Sequence, residues 1–94
     1  MKLIRDKYIN IINSSELSKC KDNVERLSRL DEKLDEESLE LRDSNFEDVN
    51  EFADVLEVIY AIAEIKGISP EDIESARIKK LNDKGGFNSG LLLK

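Results

Sequence analysis

Five carboxylates in the middle of the chain fall into two helix-spaced groups that could bind a cation or move a proton: Glu36-Glu37-x-x-Glu40 and Glu51-x-x-Asp54. Both groups interrupt otherwise apolar patterns. The chain has no histidine, and Cys20 is its single cysteine. Histidine-ligated metals, cysteine cages and Ser-His or Cys-His nucleophiles are therefore excluded, and so is an internal disulfide. Acid–base or metal chemistry has to run on carboxylates, lysines and water. Clustered oxygen ligands without nitrogen or sulfur suit a hard divalent cation, Mg²⁺ or Mn²⁺, with waters or phosphates completing its sphere.

The elements that carry these residues read as helices, since no stretch alternates like a strand. A first short helix is expected over about residues 3–13, with Leu3, Ile4, Ile9, Ile11 and Ile12 as its apolar content. Residues 13–23 read as a loop, with room for one helical turn. A long helix follows from about Val24 to Arg42. The sequence "DSN" (43–45) is expected to close a tight hairpin and to cap the next helix, which runs from about Phe46 to Lys66 with Gly67 as its stop. Ser69 and Pro70, followed by Glu71 and Asp72, begin a last helix that runs to about Lys84. Gly85-Gly86 ends it, and the tail "FNSGLLLK" is irregular but apolar enough to pack against something.

On the second helix, Leu27, Leu30, Leu34 and Leu41 follow a helical seam whose missing member is residue 37, a glutamate. At about 100° per residue, Glu36, Glu37 and Glu40 converge on one patch. On the third helix, Glu51 and Asp54 begin a stripe continued by Val55, Val58, Ala61, Ile62 and Ile65. Its opposite arc holds Val49, Phe52, Leu56, Ile59, Tyr60 and Ala63, so this helix is expected to be surrounded by partners. A short connection makes the two helices antiparallel neighbours and sets Glu37 and Glu40 opposite Glu51 and Asp54. Carboxylates gathered so closely repel by an amount comparable to the ~5–15 kcal/mol that holds a typical domain together, so protons or cations must neutralise them.

Composition bounds the alternatives. Residues 31–54 hold eleven Asp/Glu against two Lys/Arg, while the whole chain carries a net charge of −6. The acidic middle and basic ends argue against binding a DNA or RNA polymer, which needs a continuous basic face. They suit a cation site with a small anion held by that cation. No apolar run reaches bilayer length, so no membrane partner is expected. The start lacks a signal-peptide core, and the lone cysteine points the same way, to the cytoplasm. With 94 residues, one domain is expected, over 1–94, small enough that oligomerisation to a homodimer or homotetramer would add needed buried surface.

The carboxylate pattern resembles the EExxE…ExxD signature of the MazG-like all-α nucleoside triphosphate pyrophosphohydrolases, a superfamily that includes phosphoribosyl-ATP pyrophosphohydrolase and dimeric dUTPases. "LIRDKYINII" is similar to the "LVRDKIPEII" opening of a compact subgroup, and "KKLNDKGGF" to its "KKxxRGGF" close. The likeness covers most of the chain in order, omitting only the loop at 13–23. It implies a compact bundle of about four helices around an antiparallel helix hairpin. It also implies Mg²⁺-dependent cleavage of a nucleoside triphosphate between the α and β phosphates. In that likeness Glu37, Glu40, Glu51 and Asp54 would hold metal. Glu36 would act with Glu37 in catalysis, standing behind the ligands or orienting the attacking water.

The basic ends would then serve the phosphates. Arg77, Lys80 and Lys84 share a stripe of the last helix that begins at Ile73 and is expected to be partly inward-facing. An ordinary bias of cations toward a helix C-terminus explains them equally well. Where the subgroup has arginine before Gly-Gly this chain has Lys84, which lacks bidentate geometry. Arg5 and Lys7 either reach the phosphates or pair with acidic neighbours. Tyr60 and Phe87 either stack a base or fill the core, the core being favoured. Two other functions stay open: a nucleotide-binding protein without turnover on the same scaffold, and a helical interaction module.

Overall fold

The computed structural model describes residues 1–94 as an all-helical chain with no strand. It has three α-helices: α1 (Asn23–Asp43), α2 (Val49–Ile65) and α3 (Pro70–Lys84). None is long and apolar enough to cross a membrane. The expected fourth, N-terminal helix is replaced by a 3-10 turn over Asp6–Asn10, preceded by irregular chain, and a second 3-10 turn spans Ser14–Glu16. The reason is local. Arg5 at the turn's start offers no side-chain cap, several of the residues are β-branched isoleucines, and a helix this short cannot repay its nucleation cost alone. Leu3 and Ile4 lie half-buried instead.

The long helices are capped much as their sequences suggest. Asp22 accepts from the Glu25 amide at 2.9 Å to open α1. Ser69 and Asp72 form a reciprocal capping box at α3, with Pro70 in the first turn. Gly67 takes φ +73° just beyond α2, a conformation glycine adopts without a side-chain clash. Helix α2 begins three residues later than expected. Asn45 and Phe46 both adopt left-handed backbone, with φ 57° and 60°, so helix cannot pass through them. The cap therefore falls to Asp48, whose side chain accepts from the Asn50 amide at 2.9 Å.

Helices α1 and α2 pack along their length as a hairpin, and α3 has no comparable partner. The core is correspondingly thin: Leu30, Val58 and Ala63 are the buried hydrophobic residues. The radius of gyration is 16.6 Å, against about 12 Å for a compact chain of this length. The arc Val49, Phe52, Leu56 and Ile59 is exposed, so α2 is not surrounded within one chain. The C-terminal tail also packs against nothing here. Phe87 is 98% exposed, which removes it from the core, whereas Tyr60 is half-buried.

Candidate metal centre on the helix hairpin

The glutamate in the leucine seam is where the helical spacing puts it. Leu27, Leu34 and Leu41 are half-buried, Leu30 is buried, and Glu37 between them is only 7% exposed. Across the hairpin, α2 begins with half-buried Glu51 and Asp54 and continues into half-buried Val55 and buried Val58. Ligand atoms of Glu37, Glu51 and Asp54 lie within 4.8 Å of one another, and so do those of Glu36, Glu37 and Glu40. Glu37 belongs to both groups and joins them into one cluster.

Three cations meet the cluster, two of which the sequence pattern did not single out. Lys33, one and a bit turns before the glutamates, reaches Glu36 Oε2 at 3.2 Å and Glu37 Oε1 at 3.3 Å. Its spacing of three and four made it readable. Lys2 Nζ meets Glu36 Oε1 at 2.9 Å, a pairing across the fold that no local spacing announces. Arg5 donates to Asp54 Oδ1, so of its two sequence-based roles it takes the acidic neighbour in this conformation. Three cations leave two of five carboxylate charges unmatched. Those two are Glu40 and Glu51, which have no ion-pair partner.

The titration of these groups follows the pairing. Glu36 is held below its ordinary pKa, mainly by the Lys2 hydrogen bond and further by Lys33; Lys2 is raised in turn by Glu36. Glu40 is pushed up, first by its hydrogen-bonding contact with Glu37 and then by that residue's charge. Burial pushes Glu51 up, with the Asp54 charge adding to it. One oxygen on each side of the hairpin, Glu37 Oε2 and Glu51 Oε2, is buried with no hydrogen-bond partner. Buried carboxylate oxygens without a donor are rare and costly.

This arrangement fits a hard cation. The donors are all oxygens, they converge from two helices, and two are buried without protein donors. Glu37, Glu51 and Asp54 could hold it directly, with Glu40 beside them. A groove of about 940 Å³ runs on from the cluster, sharing Arg5, Lys33, Glu37 and Asp54 with it and reaching Tyr60 and the start of α3.

The other predicted residues sit elsewhere. Lys7 is exposed and unpaired. Arg77, Lys80 and Lys84 are exposed on α3 rather than inward-facing and line neither cavity. Arg77 is held by Glu74 through Nε at 3.0 Å and a second contact from Nη2, which lowers the Glu74 pKa.

The raised values give a prediction with a definite sign. Folding favours the protonated forms of Glu40 and Glu51. Their contribution to stability is thus fully present below the ordinary carboxylate range and is lost as pH rises through their raised values. Glu36 acts oppositely, losing its contribution only on acidification below its ordinary value. In EDTA the melting temperature should fall as pH rises from the ordinary carboxylate range through the raised values of Glu40 and Glu51, and this slope should flatten in a Glu40→Gln/Glu51→Gln double variant. Thermal scans over that pH range check it, and a flat wild-type profile contradicts it.

Comparison with protein families, with curated proteins and with solved structures finds no match to this chain.

Proposed function

We propose that the chain is a Mg²⁺-dependent nucleoside triphosphate pyrophosphohydrolase that cleaves between the α and β phosphates, giving a nucleoside monophosphate and pyrophosphate. The observation that carries this reading is Glu37, buried in the leucine seam with Oε2 unpartnered and set against the equally unpartnered Oε2 of Glu51. A seam position normally taken by leucine gains no packing from a charge, and Lys33 meets only one of the two Glu37 oxygens. The resemblance of both motifs and both chain ends to the MazG-like enzymes supplies the substrate class. Mn²⁺ would serve in place of Mg²⁺, and the setting would be the cytoplasmic nucleotide pool, as a house-cleaning activity.

In this reading Glu37, Glu40, Glu51 and Asp54 hold the cation. When bound, the cation supplies Lewis acidity and charge neutralisation for phosphoryl transfer. Glu36 is kept ionised by Lys2 and Lys33, which makes it a weak base but suits it to orient the attacking water as a charged hydrogen-bond acceptor. Arg5, which lines the groove beside the cluster, would turn toward phosphates on release from Asp54, whereas Lys7 would have to swing in from the exposed surface. Arg77, Lys80 and Lys84 reach the cluster only if α3 swings or a second copy brings them, and the exposed apolar arc of α2 is the surface that a homodimer or homotetramer would cover.

The test is a panel of ribo- and deoxyribonucleoside triphosphates incubated with purified protein and Mg²⁺, with pyrophosphate and monophosphate quantified. Equal amounts of both, abolished by EDTA, are expected. Tight calorimetric binding of an intact nucleotide without product would select a sequestering protein instead. The pairing of three cluster carboxylates by Lys2, Lys33 and Arg5 favours one further reading, a helical interaction module. That reading requires a melting temperature indifferent to both EDTA and Mg²⁺.

A further inference from the structure

Residues 1–5 precede the first 3-10 turn without regular secondary structure and are tied to the hairpin at two points. Lys2 holds Glu36 of α1, and Arg5 holds Asp54 of α2. The segment thus bridges both helices at the carboxylate cluster. Between its anchors, Leu3 and Ile4 form part of the wall of the large groove. Both anchoring side chains are more than half exposed, at 63% and 56%, so each pair is screened by water and readily exchanged.

Asp54 is the point of conflict. Its carboxylate takes the Arg5 guanidinium and also lies within 4.8 Å of the Glu37 and Glu51 ligand atoms. A divalent ion among those three carboxylates and a guanidinium on one of them are like charges a few ångströms apart, and they repel. The two orphaned oxygens, Glu37 Oε2 and Glu51 Oε2, are beyond what Lys2 and Arg5 satisfy. The segment's cations therefore substitute for only part of what the cluster requires.

We propose that the N-terminal segment is a cation-exchangeable strap: Lys2 and Arg5 act as internal counter-ions, and a divalent cation entering among Glu37, Glu51 and Asp54 displaces them and opens the groove wall. This rests on the cluster being a divalent-cation site and extends that reading to its regulation. The exchange also unites the two sequence-based roles of Arg5, which pairs with an acid in one state and is released toward an incoming anion in the other.

Nitrogen relaxation of backbone amides in the intact chain, titrated with Mg²⁺ from EDTA, tests the strap without any substitution. Residues 2–5 should be as ordered as α1 in EDTA and should become mobile as Mg²⁺ saturates. Calorimetry supplies a second readout. Lys2→Ala/Arg5→Ala should bind Mg²⁺ about 2- to 30-fold tighter than wild type, because two exposed pairs no longer compete. Lys21→Ala removes a charge beyond the far end of α1, roughly 20 Å away along the helix, and should change affinity less than about twofold. Mg²⁺ binding with residues 2–5 still ordered, or an equal gain in Lys21→Ala, overturns the strap and leaves the site standing. Absence of Mg²⁺ binding in both wild type and the double variant overturns the site reading itself.

Discussion

Glu37→Leu is expected to melt at a higher temperature than wild type in EDTA and to lose all response to Mg²⁺. The glutamate occupies a leucine slot, is 7% exposed, and leaves Oε2 without a donor. Its other oxygen gains one ammonium partner, Lys33, at 3.3 Å. Replacing a buried, incompletely satisfied charge by an apolar side chain of similar volume is neutral to stabilising by about 1–4 kcal/mol. In a domain of this size each kcal/mol moves the melting temperature by about 4–8 °C. Lys33 keeps Glu36 as its partner, so the substitution strands no cation. The wild type should instead recover stability on adding Mg²⁺, by about 2.7 kcal/mol at a hundredfold excess over the dissociation constant. The two proteins should therefore approach or exchange rank between EDTA and Mg²⁺ in paired thermal scans. A variant less stable than wild type in EDTA would mean that the glutamate is there for structure. Retention of a stability cost for function is the usual mark of a site.

Asp54→Asn should lower Mg²⁺-dependent pyrophosphate release at least about 100-fold. Changes to groups that merely support a metal's ligands commonly cost 10- to 100-fold, and Asp54 stands among the ligand atoms themselves. The amide keeps the shape and one oxygen but removes the charge that both Arg5 and a cation use. The fold should survive, since Asp54 is half-buried and lies after the capped first turn of α2. Circular dichroism before the assay separates loss of site from loss of structure. Turnover within a few-fold of wild type would remove Asp54 from the centre. Measuring residue 2–5 order in this variant adds a check, because loss of the Arg5 anchor should loosen the strap even in EDTA.

The hairpin was legible because its information is local. Leu27, Leu30, Leu34 and Leu41 set the buried face of α1 through helical geometry, and that geometry alone places Glu37 inward. Glu51 and Asp54 are one turn apart, so their convergence follows once α2 exists. The Ser69–Asp72 capping box and the stops at Gly67 and Gly85 are likewise properties of a few adjacent residues. The start of α2 escaped because the left-handed pair at Asn45 and Phe46 includes a phenylalanine, and bulky residues seldom adopt that backbone. The N-terminal helix failed for a different reason. Its isoleucines suggested an amphipathic face, but with no cap and few residues the segment forms only a 3-10 turn, and its cations pair with α1 and α2.

Neighbours within three or four residues are positioned by helix geometry, so the helical class, the hairpin and the five carboxylates that meet on it follow from local spacing. The charge balance of that cluster depends instead on packing between distant parts of the chain. Lys2 and Arg5 arrive from 34 and 49 residues away, and no periodicity encodes where a chain end returns. The same holds for α3, whose Arg77, Lys80 and Lys84 form a stripe in sequence yet stay clear of the cluster. A stripe states which residues share a face, and only packing decides what that face meets.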